Sequence, residues 1–523
     1  MVHADQVTQH GWSVPELARR EGSLWNLTPE VIDRMLFEAQ QAGRGKALSM
    51  AYDDSPLSAL YATAPQARAD PSMRGEEALC TGRLRAFECG GAPVLPPAAR
   101  ALIEGEVACV LRQSPLFPPG LANWSRASYL REELRTLRCH VLVSAARNKR
   151  FKYWRDESDV RRMDRVPGGY AFRPPITQEF MSGEAFFTRS HAAAAAGECV
   201  YLQHTLLQSG SGADGRPALV PTGPLGAGMA ADLSTGLNHQ LLSAIAHAGR
   251  FGPPARCQLF VGAAAAAGAR TVMHYDQYDN IFMQLSGTKT FLLFDPLQTG
   301  RLAPFPIHHP LDRSCRVGLE ATLEEQAGAF PRAPTAGGCR VTLHPGDVLV
   351  LPAYWWHEVI TEPDGASGGG GGGGGGGATE LTVSLNFWFS PMHRLLQPQL
   401  PLSPMLRVEL ARQAEFFTCD ALDDQPQHVP IFFAAMQSQL AAIASGACDE
   451  RAEAIAASGG APHALWVELH ALRPAGVAPE HWEGLFEYMA AKAGHLLGAA
   501  ALRPFVIDLL DPGRFAGLER TSG

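Results

Sequence analysis

Between about residues 91 and 395 this sequence predicts a mainly β domain, a double-sheet jelly roll or barrel flanked by helices, and from about residue 396 a helical region. Three observations predict it. Short β-branched and aromatic runs ("CHVLVSAA", "ECVYLQHTLL", "ARCQLFVGA", "DVLVLPAYWWHEV", "LTVSLNFWF") recur through the first region, the later ones separated by Gly and Pro. Near the C-terminus the pattern changes to helical spacing, with Phe486, Met489, Ala493, Leu496 and Leu497 on one stripe. Finally, the stretch "TVMHYDQYDNIFMQLSGTKTFLLFDP" puts a histidine and a carboxylate two residues apart in apolar surroundings.

Taken in order, residues 1–90 form an N-terminal extension with few clear patterns. One is the helix "TPEVIDRMLFEAQQA", with Thr28 as N-cap and Pro29 in its first turn. No function follows from it. Residues 91–395 form the β domain. Within it, residues 271–296 read as a hairpin around Ser286-Gly287-Thr288, with Phe291–Phe294 buried. A second apolar strand spans about 348–360 and a third 380–389. Between these two lie ten consecutive glycines, Gly368–Gly377, a composition with no capacity to pack. Lengthening a loop by about two doublings costs only about 1.2 kcal/mol of closure entropy, so the tract reads as a tolerated surface insertion. Residues 396–523 form the helical region, where Pro504 suits a first turn before "FVIDLL".

The bulk properties narrow the function classes. The chain has 523 residues, enough for two to four domains, with 18% charged and 46% hydrophobic residues. A net charge of −8 argues against a dedicated nucleic-acid binder. The one basic stretch, "RNKRFKYWR" from Arg147 to Arg155, reads as a solvated face. The ten cysteines are scattered with no C-x-x-C pair, which suits a reducing compartment; cytoplasmic or nuclear location is expected. No run of 18 apolar residues occurs, so no membrane segment is expected.

The chemistry lies in the β domain. On a strand, His274 and Asp276 share a face. A buried, unpaired carboxylate costs several kcal/mol, so the pair needs a purpose. A later strand supplies His357. Two histidines and a carboxylate occupy one face of an octahedral non-haem Fe(II) and leave three positions open, whereas zinc usually keeps one. Three open positions call for an organic co-substrate. Lys289, in apolar company, would be costly there without an anionic partner such as the distal carboxylate of 2-oxoglutarate. His308-His309 precede Pro310 and read as structural, and Trp355 and Trp356 read as core.

The run H-Y-D-x-x-x-N-x-x-x-Q-x-x-G-x-K, then P-G-D-V-L-x-x-P-x-Y-W-W-H and N-F-W, resembles the JmjC branch of 2-oxoglutarate oxygenases, and within it the asparaginyl hydroxylases. "YLQHTL", "FPIHHPLDR" and "FKYWRDE" add to the likeness, which covers roughly residues 90–395. The resemblance implies a double-stranded β-helix and the following roles. His274, Asp276 and His357 match the iron ligands. Lys289, Tyr201 and Thr271 match the groups that hold the distal carboxylate of 2-oxoglutarate, and Asn280 and Asn386 match amides near its metal-binding end. Thr271 stands at odd spacing from His274, so it must reach the site from a strand end or bulge. Tyr153, Gln203, Arg313 and Trp388 match the substrate groove. One departure is Ser314, which stands where the family's asparagine-gripping glutamine would follow Asp312-Arg313. A serine presents no carboxamide, so the preference for asparagine should relax.

These readings converge on a dioxygenase using Fe(II), 2-oxoglutarate and O2 to hydroxylate a side chain of a protein or peptide, asparagine among the candidates. Two alternatives stand beside it: the same chemistry on N-methyl lysine or RNA, and a cupin-type binding protein without turnover. By the resemblance, a homodimer through the C-terminal helices is expected, because their apolar stripe needs burial.

Overall fold

The computed structural model describes residues 71–518, apart from 92–93, 146–148, 152–175, 194, 212–216, 264–267, 363–380, 392–393, 396–397, 401, 423–424, 445–468 and 470. The N-terminal helix, most of the basic stretch with Tyr153, and the glycine tract lie outside the described residues.

The described residues form strands β1 (Gly82–Arg83), β2 (Ala86–Glu88), β3 (Cys109–Arg112), β4 (Arg138–Ala145), β5 (Arg150–Phe151), β6 (Thr177–Ser182), β7 (Glu198–Ser211), β8 (Pro217–Pro221), β9 (Pro254–Ala263), β10 (Arg270–Thr271), β11 (His274–Tyr275), β12 (Asp279–Ser286), β13 (Lys289–Phe294), β14 (Cys339–Leu343), β15 (Val348–Leu351), β16 (Trp356–Thr361) and β17 (Leu381–Phe389). They make two sheets, as a jelly roll requires. The smaller runs β1-β14-β13-β16-β10-β5, with β11 attached to β16; the larger runs β2-β3-β15-β12-β17-β9-β7-β4-β6, with β8 attached to β7. The first edge strands precede residue 90: β1 pairs with β14 and β2 with β3, so the β domain begins earlier than its expected boundary.

The expected hairpin is not a hairpin. β12 pairs with β15 and β17 in the large sheet, and β13 pairs with β14 and β16 in the small one. Ser286-Gly287-Thr288 is therefore a corner that carries the chain from one sheet to the other. Gly287 turns it at φ +66°, and a Cβ there would sit 2.6 Å from the Thr382 hydroxyl. Every residue of β12 and β13 is buried. An apolar strand with both faces covered looks the same in sequence whether its neighbour in the chain pairs with it or crosses to the facing sheet. For the same reason the expected strand at 348–360 is two strands, β15 in the large sheet and β16 in the small one, joined by a corner at 352–355. The stretch before the first corner likewise divides into β10, β11 and β12.

Register partners share a face, so the ladders sort the side chains. Lys289, Phe291 and Leu293 of β13 pair with Thr361, Val359 and His357 of β16, and His357 pairs with His274. This face of the small sheet looks toward the large one, for Phe291 and Leu293 share a core with Phe282, Leu349 and Trp355. The opposite face carries Tyr275, Leu292, Phe294 and Trp356, which pack with the C-terminal helices. The outer face of the large sheet, including Ile281, Met283, Leu385 and Phe387, packs against helices from the N-terminal half.

The C-terminal region supplies α1 (Pro404–Ala421), α2 (His428–Ala444), α3 (Pro479–Leu497) and α4 (Ala499–Leu509). The stripe at Phe486, Met489, Ala493, Leu496 and Leu497 is buried within this chain, in the same core as Trp356, Phe432 and Trp482. The reason for expecting it to seek a second copy is thereby removed. α3 ends at Gly498, φ +80°, and α4 restarts directly after it, so Pro504 lies inside α4 and not in its first turn. Burial of Phe505 and Val506 offsets the one helical hydrogen bond that the proline cannot donate.

Candidate active site

The sheets bring His274, Asp276 and His357 together. One ligand atom from each lies within 4.8 Å of the others, the one such His/Cys/Asp/Glu cluster among the described residues. The strand pair sets the histidines: they are direct partners on β11 and β16, with ring centres 4.3 Å apart. Backbone carbonyls set their tautomers. His274 Nδ1 donates to the Val272 carbonyl at 2.7 Å and His357 Nδ1 to the Trp355 carbonyl at 3.0 Å. A carbonyl only accepts, so each Nδ1 carries the proton and each Nε2 keeps its lone pair. His357 Nε2 lies 3.4 Å from Asp276 Oδ2.

Asp276 falls in the connection between β11 and β12, and two contacts hold that connection against the second corner. The Tyr354 N–H donates to the Asp276 carbonyl at 2.8 Å, with Tyr354 itself at φ 65°. The Ala353 N–H donates to Asp279 Oδ1 at 3.0 Å, and Asp279 is paired with Arg394. Charge at the cluster is strongly biased. Burial opposes ionisation of Asp276, but the adjoining His357, the nearby His274 and Arg313 together hold its carboxyl well below the usual range. Burial, followed by the neighbouring His357, pushes His274 down to about 4, which keeps it neutral. Two imidazoles whose Nδ1 atoms are held by backbone carbonyls, together with one carboxylate, are a donor set that fits a divalent metal.

Lys289 is 2% exposed and donates to the Tyr201 hydroxyl at 2.9 Å. Its ammonium lies 5.3–5.5 Å from the rings of Tyr201, Phe260 and Phe282. Among the described residues no carboxylate pairs with it, and burial lowers its pKa to about 7. Thr271 is at the end of β10, where its hydroxyl accepts from the Val359 N–H at 3.0 Å. Across the gap, the inner face of the large sheet is polar. Asn280, Asn386 and Gln258 are buried and Gln203 is half-buried, and none of their side-chain oxygens has a donor among the described residues. A bound polar group would relieve these orphaned atoms. With Lys289 opposite on the small sheet and Tyr201 beside Gln203 on β7, these groups fit a dicarboxylate.

Of the residues expected to line a substrate groove, Gln203 and Trp388 lie on this inner face and Arg313 lies beside the cluster, 3.8 Å from Asp276 Oδ1. Ser314 is buried and bridges β11 through its backbone opposite His274. Tyr153 lies outside the described residues. His308 and His309 are buried and take no part in the cluster, and Trp355 and Trp356 are core residues.

Sequence reasoning missed the bracing from α1. Arg412 donates to both oxygens of Asp312, at 2.5 and 3.0 Å, and to the Tyr275 hydroxyl at 2.8 Å. Glu409 accepts from the Tyr354 hydroxyl, and Glu415 accepts from the Ile307 N–H at 2.6 Å and from Arg514 at 2.7 Å. These buried charges fix the 305–315 loop, Tyr275 on β11 and the corner at Tyr354. The signal was present: in "VELARQAEFF" Glu409, Arg412 and Glu415 stand at i, i+3 and i+6, one charged stripe that also carries Val408 and Phe416.

A family profile described as a cupin-like domain matches residues 109–394, more than half of the chain. The chain belongs to the cupin-like domain family. Its relatives include the lysine-specific demethylase JMJ31 of Arabidopsis thaliana, 29% identical over 135 residues that cover 25% of this chain and 21% of the relative. The human HSPB1-associated protein 1 is 36% identical over 93 residues, 18% of this chain and 19% of the relative. The Jumonji C domain-containing protein 5 of Drosophila melanogaster is 32% identical over 96 residues, 18% and 23%. The chain spans about a fifth of the length of these curated relatives. Two of these relatives carry JmjC-type names, whereas the likeness of this chain to the JmjC oxygenases and, more narrowly, to asparaginyl hydroxylases rests on the motifs. No helix among the described residues is long and apolar enough to cross a membrane.

Proposed function

We propose that this protein is an Fe(II)- and 2-oxoglutarate-dependent dioxygenase that hydroxylates a side chain of a protein or peptide. The observation that carries the reading is the shared space between the sheets. It holds a His274–Asp276–His357 cluster with lone pairs facing inward and, farther along the same face, a buried lysine without a carboxylate partner. His274, Asp276 and His357 hold the iron. Lys289, Tyr201 and Thr271 receive the distal carboxylate of 2-oxoglutarate, and Asn280 and Asn386 orient its other end. When bound, the iron and co-substrate supply the activation of O2 for oxidising a C–H bond. The residues of this chain place the groups, orient both imidazoles through backbone carbonyls and exclude water. Gln203, Arg313, Ser314, Trp388 and Tyr153 meet the substrate. Because Ser314 lacks a carboxamide, the oxidised residue extends beyond asparagine, and Ser314→Gln should raise the share of asparagine in the products.

The test is conversion of 2-oxoglutarate to succinate by purified protein with Fe(II), followed by mass spectrometry of a peptide library. Gain of one oxygen supports hydroxylation. Loss of a methyl group would favour lysine demethylation, a second reading prompted by the relatives named lysine-specific demethylases. Oxidation confined to RNA would overturn the protein substrate, and no succinate at all would leave a binding protein. The same reading assigns the protein to the cytoplasm or nucleus. A homodimer would have to use a surface other than the buried stripe, such as the exposed side chains of Tyr488 on α3 and Ile507 on α4.

A further inference from the structure

The inner face of the large sheet carries one cation that the roles above leave unused. Arg256 on β9 is the register partner of Trp388 on β17, and Trp388 is the partner of Asn280 on β12. The three side chains form one row across the face that looks at the small sheet, and Asn280 opens β12 shortly after Asp276. The row therefore borders the cluster of His274, Asp276 and His357.

Two aromatic rings hold the guanidinium in place. Its carbon lies 5.1 Å from the ring centre of Tyr278 and 5.1 Å from that of Trp388. Stacking of this kind favours the cation and orients its plane, but it satisfies no N–H. Among the described residues Arg256 has no ion pair, and its buried Nε has no acceptor. Other arginines covered by the fold differ in having a carboxylate partner: Arg270 meets Glu358, Arg394 meets Asp279, Arg412 meets Asp312 and Arg514 meets Glu415. The second orphan is independent of the first. Trp388 is 5% exposed, and its indole N–H has no acceptor among the described residues. Two donors on neighbouring register partners thus lack an acceptor where the substrate groove is expected.

We propose that Arg256, with Trp388 and Tyr278, is a specificity site that takes an acidic side chain of the protein substrate, close in sequence to the residue oxidised. The planar guanidinium matches a carboxylate with two parallel hydrogen bonds, and the rings keep it from collapsing onto the sheet. A single carboxylate suits a lone cation, whereas a net charge of −8 opposes a polyanion. The word substrate rests on the oxygenase reading; the recognition of an acidic side chain does not.

The test is selection of randomised displayed peptides on the full chain loaded with Mn(II) and 2-oxoglutarate, for wild type, Arg256→Gln and Arg256→Lys. The wild type should enrich Asp or Glu at one fixed offset about tenfold over Asn or Gln. Arg256→Gln should lose the enrichment, and Arg256→Lys should keep part of it, since it retains charge without the fork. Binding of one selected peptide and its Glu-to-Gln twin to the wild type needs no variant and guards against misfolding. No acidic enrichment by the wild type, or equal enrichment by Arg256→Gln, would overturn the proposal. So would weaker 2-oxoglutarate binding in Arg256→Gln with the peptide preference intact. Succinate formation by the wild type is measured separately: its absence beside intact acidic selection would remove the oxygenase reading and keep this one.

Discussion

His274 and His357 are direct partners across the β11–β16 ladder, with their rings 4.3 Å apart and each Nδ1 committed to a backbone carbonyl. The ladder therefore preforms two of the three proposed ligands, and Asp276 completes the set from a connection rather than a strand. Asp276→Ala should leave the fold intact, because the ladder does not depend on that side chain. It should lower succinate formation by at least about 100-fold, beyond the effect usual for loss of an outer-sphere partner. Turnover and thermal melting, measured together, check both halves; turnover near wild type would remove the facial-triad reading.

Lys289 makes a pH-dependent prediction. Burial lowers its pKa to about 7, so at pH 8 the amine is largely neutral in the ligand-free protein. A carboxylate favours the protonated form, so 2-oxoglutarate binding at pH 8 should take up close to one proton. Near pH 6 the amine is already protonated and uptake should vanish. Calorimetry in buffers of different ionisation enthalpy reads this directly. Lys289→Ala should abolish the uptake and weaken 2-oxoglutarate binding about 30- to several thousand-fold, the cost of about 2–5 kcal/mol for losing one partner of a buried pair.

Arg412 and Asp312 form a buried pair whose loss should be felt at the metal site. Arg412→Met leaves Asp312 uncompensated, and breaking such a pair costs about 3–5 kcal/mol. Asp312 precedes Arg313, which lies 3.8 Å from Asp276, so turnover should fall along with stability. The double variant Arg412→Met/Asp312→Leu should regain most of the melting temperature. A single variant as stable as wild type would show that the pair does not brace the loop.

Leu497 is 6% exposed inside the C-terminal core of its own chain. Leu497→Arg should therefore destabilise the folded chain by several kcal/mol, the cost of burying an unpaired charge. Light scattering should give the same mass for variant and wild type. A halved mass without loss of melting temperature would return the stripe to a subunit interface.

Deleting Gly368–Gly377 should preserve both turnover and melting temperature. The tract joins β16 of the small sheet to β17 of the large one, and it brings no side chains to either. Shortening the connection reduces its closure entropy. A melting temperature several degrees lower would show that the crossing needs the length.

The local chemistry of this protein was legible in the sequence alone. Apolar runs with Gly and Pro between them announce a two-sheet β domain, because strand periodicity and turn residues act over a few neighbours. The H-x-D pair, the distant histidine and the lysine in apolar company stand out because each would be costly in a core without a purpose. Which strands pair was a different matter. Gly287 and Tyr354 bend the chain between facing sheets, yet a strand buried on both faces carries no mark of its partner. The orientation of the imidazoles, the bracing of Asp312 by Arg412, the covering of Leu497 and the row from Asn280 through Trp388 to Arg256 were likewise decided by tertiary structure. Each depends on which segments, far apart in the chain, come to lie side by side, and burial and pairing energies act only once they do.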